Sequence, residues 1–512
     1  MLNTTAHVSP RTIIFMLILL TIGAVGNGTG QGETIPDKMD NSGELNLMGQ
    51  SGAEADSAMD GQGSHLDTRR NSKADGYRGI WYRLGRDYEY GDKYSGGLGT
   101  YTANHKPLAV YSEEANKTFF VLGGTPTEDQ QYLLILAGAY DHASHKVSRP
   151  TIVYDKGAEG VYDAHDNASI TLDSDGHVWI FVAGRNVIRD GTLLRSTNPY
   201  SVEAFETILI WPGMTYPQPW FDDHSFHFFF TKYTRPRNLY FSSSRDGKKW
   251  TDELELARFG GHYQVSGVHR QSGRIATFFN YHPGSNVDRR TNLYYMESAD
   301  GGTNWTTVDG IPVELPLTEL QNPALAIDYE ARGLLQYTCD LNWDAEGNPL
   351  LLYVVSPYYE PGPTSPARQW HLTRWTGSQW TTSVITETSH NYDMGSLHVE
   401  GNRWTAFLPS GDGPQLWGTG GEVEMWTTDD GGQNWIRQRP VTRDSQYNHM
   451  YVRRPVNASD PFFALWADGD TEQAGPSRFY FSNRDGTRVW RLPYTMTEDW
   501  ETPEEVGSVE DK

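Results

Sequence analysis

Short runs of aromatic and β-branched residues, a turn pattern that recurs along the chain, and no amphipathic helical stretch beyond two turns together predict an all-β fold laid out as a single β-propeller. Strand-like runs include Lys117 to Leu122, His177 to Val182 and Phe226 to Phe230. About 430 residues at roughly 50 to 60 per blade make seven the expected number of blades.

The elements follow in order. Arg11 precedes an apolar run from Thr12 to Ile22, and Ala24-Val25-Gly26 has the small residues a signal peptidase accepts, so residues 1–26 are expected to be a signal peptide. The run is shorter than the roughly 20 residues of a membrane span, and no later segment is a candidate. A secreted or periplasmic protein is implied. Residues 27–74 are rich in Gly, Ser, Asp and Asn, and such a stretch buries too little apolar surface to offset its conformational entropy, so a disordered leader is expected. Order is expected from residue 75 to about 505 as one catalytic propeller domain, followed by an acidic tail.

Within that domain Ser298-Ala299-Asp300-Gly301-Gly302-Thr303-Asn304-Trp305 fits the pattern S-x-D-x-G-x-x-W, and Thr428 to Trp435 fits it with Thr in first place. Shorter variants occur at Ser244 to Trp250, at Arg484 to Trp490 and around Asp173 to Trp179. In such a turn Asp accepts amide protons, Gly takes positive φ and Trp packs the hairpin onto its sheet. These boxes read as structural.

Composition narrows the function classes. The formal net charge of -23 repels phosphate backbones and excludes non-specific nucleic-acid binding. Cys339 is the single cysteine, so no intramolecular disulfide forms, and it reads as a small buried hydrophobe. No His/Cys spacing matches a zinc signature, and no glycine loop suits a nucleotide. No cofactor is required for chemistry, while a structural calcium or zinc ion stays open. The protein is expected to be monomeric.

Polar clusters recur at blade-like intervals: Thr102 to Pro107, Tyr140 to His142, Asp163 to Asn167, Thr215 to Pro219, Lys232 to Arg237, Gly261 to Gln264, Asn280 to Pro283, Asp288 to Asn292, His390 to Asp393 and Tyr447 to His449 with Arg453-Arg454. Loops from successive blades would gather them on one face. Each alone reads equally as a satisfied turn, and their number is the signal.

Gly76 to Tyr82, Tyr94 to Tyr101, Asp163 to Asn167 and Tyr447 to Pro455 resemble the BNR-repeat propeller proteins, a group that includes ulvan lyases, rhamnose-glucuronate lyases and propeller α-L-rhamnosidases. The resemblance runs from about residue 76 to 500. Its members act on linkages between rhamnose and a uronic acid, which implies an acidic polysaccharide as the partner. The lyase pattern implies His142, His165, Tyr216 and Arg235 as catalytic residues, and Tyr281 and Arg289 of the next blade as substrate-binding residues. Arg237 and His262 join that binding set, as does His105, the counterpart of the histidine that carries the reaction in the rhamnosidases.

These residue types suit β-elimination. Cleaving a 4-linked uronate removes the C5 proton and expels the C4 oxygen. A cation must neutralise the neighbouring carboxylate as charge develops, and Arg does so with two parallel hydrogen bonds. His165 and Tyr216 are candidates for base and acid in either order, with His142 orienting or sharing the base role. A two-carboxylate hydrolase would need paired Asp/Glu in the cleft, and the clusters are rich instead in His, Tyr and Arg. Two alternatives remain: a propeller rhamnosidase and a non-catalytic sugar-binding propeller. A sialidase is disfavoured because no Arg-Ile-Pro segment opens the domain.

Overall fold

The computed structural model describes residues 69–83, 88–91, 95–97, 99–128, 131–158, 166–185, 189–234 and 237–508. The expected signal peptide, most of the expected leader, His165 and Arg235 lie outside the described residues.

The fold is all-β. Among the described residues, seven antiparallel sheets hold four or more strands and one holds three. The seven begin with strands Ala109–Ser112, Ala168–Leu172, Thr215–Phe221, Gln264–His269, Leu335–Trp343, Ser396–Glu400 and Asn448–Arg453. Five of them take consecutive strands in strict chain order, each hairpin placing the next strand one step further out. Phe226–Tyr233 shows the cause: Phe226, Phe228 and Phe230 pack with Trp179 and Trp211 of the preceding sheet, while Phe229 packs with Phe241 and Trp305 on the other side. Burial on both faces explains why this run is nearly all aromatic rather than alternating. The helical turns that lie wholly within the described residues are the 3-10 segments Pro283–Ser285 and Glu330–Arg332. No described helix is long and apolar enough to cross a membrane.

The boxed turns work as expected, with two substitutions of role. Asp300 accepts the amide protons of Thr303 and Asn304 at 3.1 and 2.9 Å, and Trp305 Nε1 donates to the Gly302 carbonyl at 3.1 Å. Gly301 and Gly302 take φ of 72° and 94°. In the looser variants the first polar residue does this work: Asp173 rather than Asp175 accepts from His177 and Trp179, and Asn483 rather than Asp485 accepts from Thr487 and Arg488.

Both expected domain ends shift outward. Asn71, Ser72 and Ala74 exchange backbone hydrogen bonds with Pro150 and Ile152 at 2.8–2.9 Å, so order reaches into the expected leader. At the other end Glu504–Ser508 pairs with Arg488–Arg491 as the outermost strand of the last sheet, and Glu504 and Glu505 each form an ion pair across that edge. In both places backbone pairing supplies the order that the polar side chains do not suggest.

Candidate functional site

Arg237 opens strand Arg237–Ser244, and Arg290 immediately precedes strand Thr291–Ser298; each strand is the third of its sheet. Those strands end in the boxes at Ser244 and Ser298. Eight residues of strand span roughly 26 Å, so the boxes and the arginines occupy opposite ends of the sheets. The end that carries the arginines also carries the loops leading into the first strands, among them Thr102–Lys106 and Gly261–Tyr263.

At that end the side chains converge on Tyr263. The Arg237 and Arg290 guanidinium carbons stand 3.8 and 3.9 Å from its ring centroid. Tyr216 packs against the same ring at 5.3 Å, and His105 packs on Tyr216 at 5.1 Å. His282 lies 4.9 Å from Tyr263 on another side. Tyr216 reaches this position because its strand is bulged between Thr215 and Gln218 and its φ is 50°. A bulge beside a functional cluster re-aims one side chain without breaking the sheet.

Hydrogen bonds to carbonyl and hydroxyl groups help to hold the arginines. Arg237 Nε donates to the His262 carbonyl at 3.2 Å and Nη1 to the Tyr233 hydroxyl at 3.0 Å. Arg290 Nε donates to the Val287 carbonyl and Nη2 to the Tyr392 hydroxyl, both at 2.8 Å. Burial, with the neighbouring Tyr263 next in weight, raises the Tyr216 hydroxyl pKa well above 10, so it stays protonated at neutral pH. His282 is held neutral by burial and by Arg237 and Arg290.

Beneath the cluster, the loop that carries His105 is tied down by Arg453, which donates to the carbonyls of Thr102 at 2.8 Å, Ala103 at 3.4 Å and His105. His105 Nδ1 accepts the Thr102 amide proton at 3.3 Å. Gln218 crosslinks the neighbouring first strands, donating to Asn104 and Gln264 carbonyls and accepting from Ser266. Lys106, Asp340 and Arg454 form a buried ion network nearby.

Of the residues singled out from sequence, the structure brings together His105, Tyr216 and Arg237. It separates four others. His142 stands at the opposite end of its sheet, beyond the Ser112–Lys117–Asp141 register. There its ring lies 4.9 Å from both Tyr111 and Tyr140, Nδ1 donates to the Asp460 carbonyl, and Nε2 accepts from Thr118. His142 therefore joins turns on the far side. His262 is fully buried below the cluster, with Nδ1 donating to the Asn280 carbonyl at 2.9 Å and Nε2 accepting from Phe259 at 3.2 Å, so neither nitrogen is turned to a ligand. Tyr281 packs toward Phe259, so close under Gly260 that a Cβ there would lie 2.5 Å from its ring. Arg289 is exposed, and the next residue, Arg290, enters the cluster in its place. Successive residues of an extended chain point to opposite sides, so a one-residue offset separates a buried cation from a surface one.

Tyr263, His282 and Arg290 were visible in the sequence as members of recurring polar clusters, without a signal ranking them above their neighbours. No group of three described His, Cys, Asp or Glu side chains is placed to hold a metal ion.

Comparisons with known proteins agree with this architecture. An ulvan lyase of polysaccharide lyase family PL25, bound to -[GlcA(1-4)Rha3S]-, is similar in structure with a TM-score of 0.60 at 16% identity, covering 78% of this chain and 96% of its own. Polysaccharide lyase Uly1 is similar with a TM-score of 0.58 at 11% identity, covering 80% of this chain and 98% of its own. At such identities the likeness is one of fold. No curated protein matches the sequence. Residues 127–388 match the BNR repeat-containing family, and with more than half of its 512 residues matched the chain belongs to that family.

Proposed function

We propose that the protein is a polysaccharide lyase that cleaves rhamnose–uronate linkages, as in ulvan, by β-elimination, and that its seven larger sheets are the blades of a seven-bladed propeller. The observation that carries the reading is the pairing of two buried cations, Arg237 and Arg290, on one tyrosine beside a protonated Tyr216. Arg290, a buried cation whose guanidinium donates to the Val287 carbonyl and the Tyr392 hydroxyl, favours an anionic ligand close by. A uronate carboxylate answers that need, and the fold shared with ulvan lyases supports the choice.

In this mechanism Arg290, with Arg237, neutralises the carboxylate so that the C5–H bond becomes acidic. His165, one of the two sequence candidates for base and acid, is assigned the base role here and takes the C5 proton. The electron pair forms the C4=C5 double bond, the C4–O4 bond breaks, and Tyr216 protonates the departing oxygen. The products are an unsaturated uronate at a new non-reducing end and a free rhamnose hydroxyl. His105, packed on Tyr216, orients the acid. Secretion or export to the periplasm fits a polymeric substrate.

The burial of His105 in the cluster also favours the hydrolytic reading, in which that histidine acts on a rhamnose cap. Absorbance near 235 nm with ulvan separates the two. A rise with wild type that vanishes in Tyr216→Phe and Arg290→Ala supports elimination at this site. Free rhamnose without the rise replaces the lyase by a rhamnosidase, and binding without either product leaves a sugar-binding propeller.

A further inference from the structure

A cavity of about 1170 Å³ opens beside the last sheet and plays no part in the mechanism above. Its walls come from the segment entering strand Asn448–Arg453 and from the turn at 470–476, with outer strands of the sheet behind. Three arginines line it, Arg443, Arg478 and Arg491, together with Gln446, Tyr447 and Gln473. In a chain of net charge -23, this cavity gathers three guanidinium groups, of which Arg491 is paired with Glu504.

The position of Arg478 is telling. It precedes Phe479–Ser482, the third strand of its sheet, just as Arg290 precedes the third strand of its own. The cavity therefore opens at the same end of the sheets as the proposed catalytic cluster. The Arg478 guanidinium carbon stands over the Tyr494 ring, 3.4 Å from its centroid. Arg443 is exposed and makes no ion pair among the described residues.

The floor is rigid and satisfied. Asp468 accepts from the Arg478 amide and the Tyr480 hydroxyl, both at 2.7 Å. Trp466 Nε1 donates to His449 Nδ1 at 2.8 Å, which leaves Nε2 to donate to Ser445 at 2.9 Å. The other acid in the lining, Asp470, is occupied by the Glu472 amide and the Gln473 side chain at 2.9 and 2.8 Å. Arg491 is paired with Glu504, so the cations left to meet a ligand are Arg443 and Arg478, flanked by amides and a tyrosine ring, the groups that bind sugar hydroxyls and faces.

We infer that this cavity is a separate binding site for an anionic stretch of polysaccharide, held through a carboxylate or sulfate on Arg443 and Arg478. The inference rests on the acidic-polysaccharide reading for its ligand class, but not on the chemistry of cleavage. It gives the enzyme a second grip on a long chain, raising the effective concentration of linkages at the catalytic cluster.

The test uses the full chain with Tyr216→Phe to block turnover, and measures ulvan binding by calorimetry with and without Arg443→Glu. Arg478→Gln serves as a second variant, with melting curves to verify folding. At least fivefold weaker polymer binding in either folded variant is expected. In the active protein the same changes raise KM on polymer and leave kcat on a tetrasaccharide unaltered. Weakening that persists on desulfated ulvan assigns the carboxylate, and weakening confined to sulfated ulvan assigns the sulfate. Equal polymer affinity in both variants overturns the site while leaving the lyase reading intact. If the wild type binds ulvan and yields no unsaturated product, the lyase reading falls, and the cavity is still judged by Arg443→Glu. No binding of any acidic polymer overturns both.

Discussion

The Arg290 guanidinium carbon stands 3.9 Å from the centroid of the Tyr263 ring, and the same arginine donates to the Tyr392 hydroxyl at 2.8 Å. A planar cation against an aromatic face is held in one orientation. Replacing Arg290 by Ala is expected to lower kcat/KM on ulvan by about 10²- to 10³-fold, the range for losing one preorganised group opposite developing charge. Arg290→Lys should recover little, since an ammonium presents no fork to a carboxylate. Initial rates at 235 nm decide this, and an Arg290→Ala enzyme within threefold of wild type would sink the assignment.

Tyr216→Phe removes the proposed acid and leaves the ring. A loss of about 10²- to 10⁴-fold in kcat is expected, with the melting temperature little changed because the ring contacts with His105 and Tyr263 are kept. Steady-state kinetics beside a thermal melt provide the check.

Arg453 acts at one remove, through the carbonyls of Thr102, Ala103 and His105. Arg453→Ala should lower kcat more than it raises KM, because the His105 loop loses its anchor while the arginines of the cluster remain. Arg453→Lys, able to reach one or two of the three carbonyls, should restore part of the rate. Equal behaviour of the two variants would refute a positioning role.

His262 tests the electrostatics of burial. Burial, opposed by the hydrogen bond to Asn280, holds its pKa down to about 3, whereas an unfolded histidine titrates near 6.5. Between those values the unfolded chain binds the proton and the folded chain does not, so stability falls as pH drops through that window. The slope from this residue is at most about 1.4 kcal/mol per pH unit. His262→Asn is therefore expected to be most destabilised relative to wild type near pH 7, with the gap closing toward pH 4. Asp393, pushed up to about 7 by burial, works in the opposite sense in both proteins and cancels in the comparison. Denaturant melts at three pH values measure the gap.

The boxes should separate stability from activity. Asp300→Ala removes an acceptor for two amide protons and the Asn304 side chain, at a cost of about 1–3 kcal/mol. Activity per folded molecule should hold, since the turn lies at the far end of the strand that begins beside Arg290. A fall in kcat with unchanged stability would contradict that placement.

Much of this protein is determined by local sequence. Aromatic runs such as Phe226 to Phe230 form strands because their side chains are buried on both faces, and the boxes form turns because Asp, Gly and Trp satisfy one another within eight residues. Those interactions are short in range, so spacing alone reveals them. That His105, Tyr216 and Arg237 belong to one place was also legible, since most of the clusters recurring at blade-like intervals share an end of the sheets. Tertiary structure alone decided the rest. Tyr140-Asp141-His142 is as polar as the other clusters, yet it follows a strand running the other way and ends on the opposite side. Arg289 and Arg290 are chemically identical neighbours, and only the direction of the chain entering its strand makes one a surface residue and the other the buried partner of Tyr263.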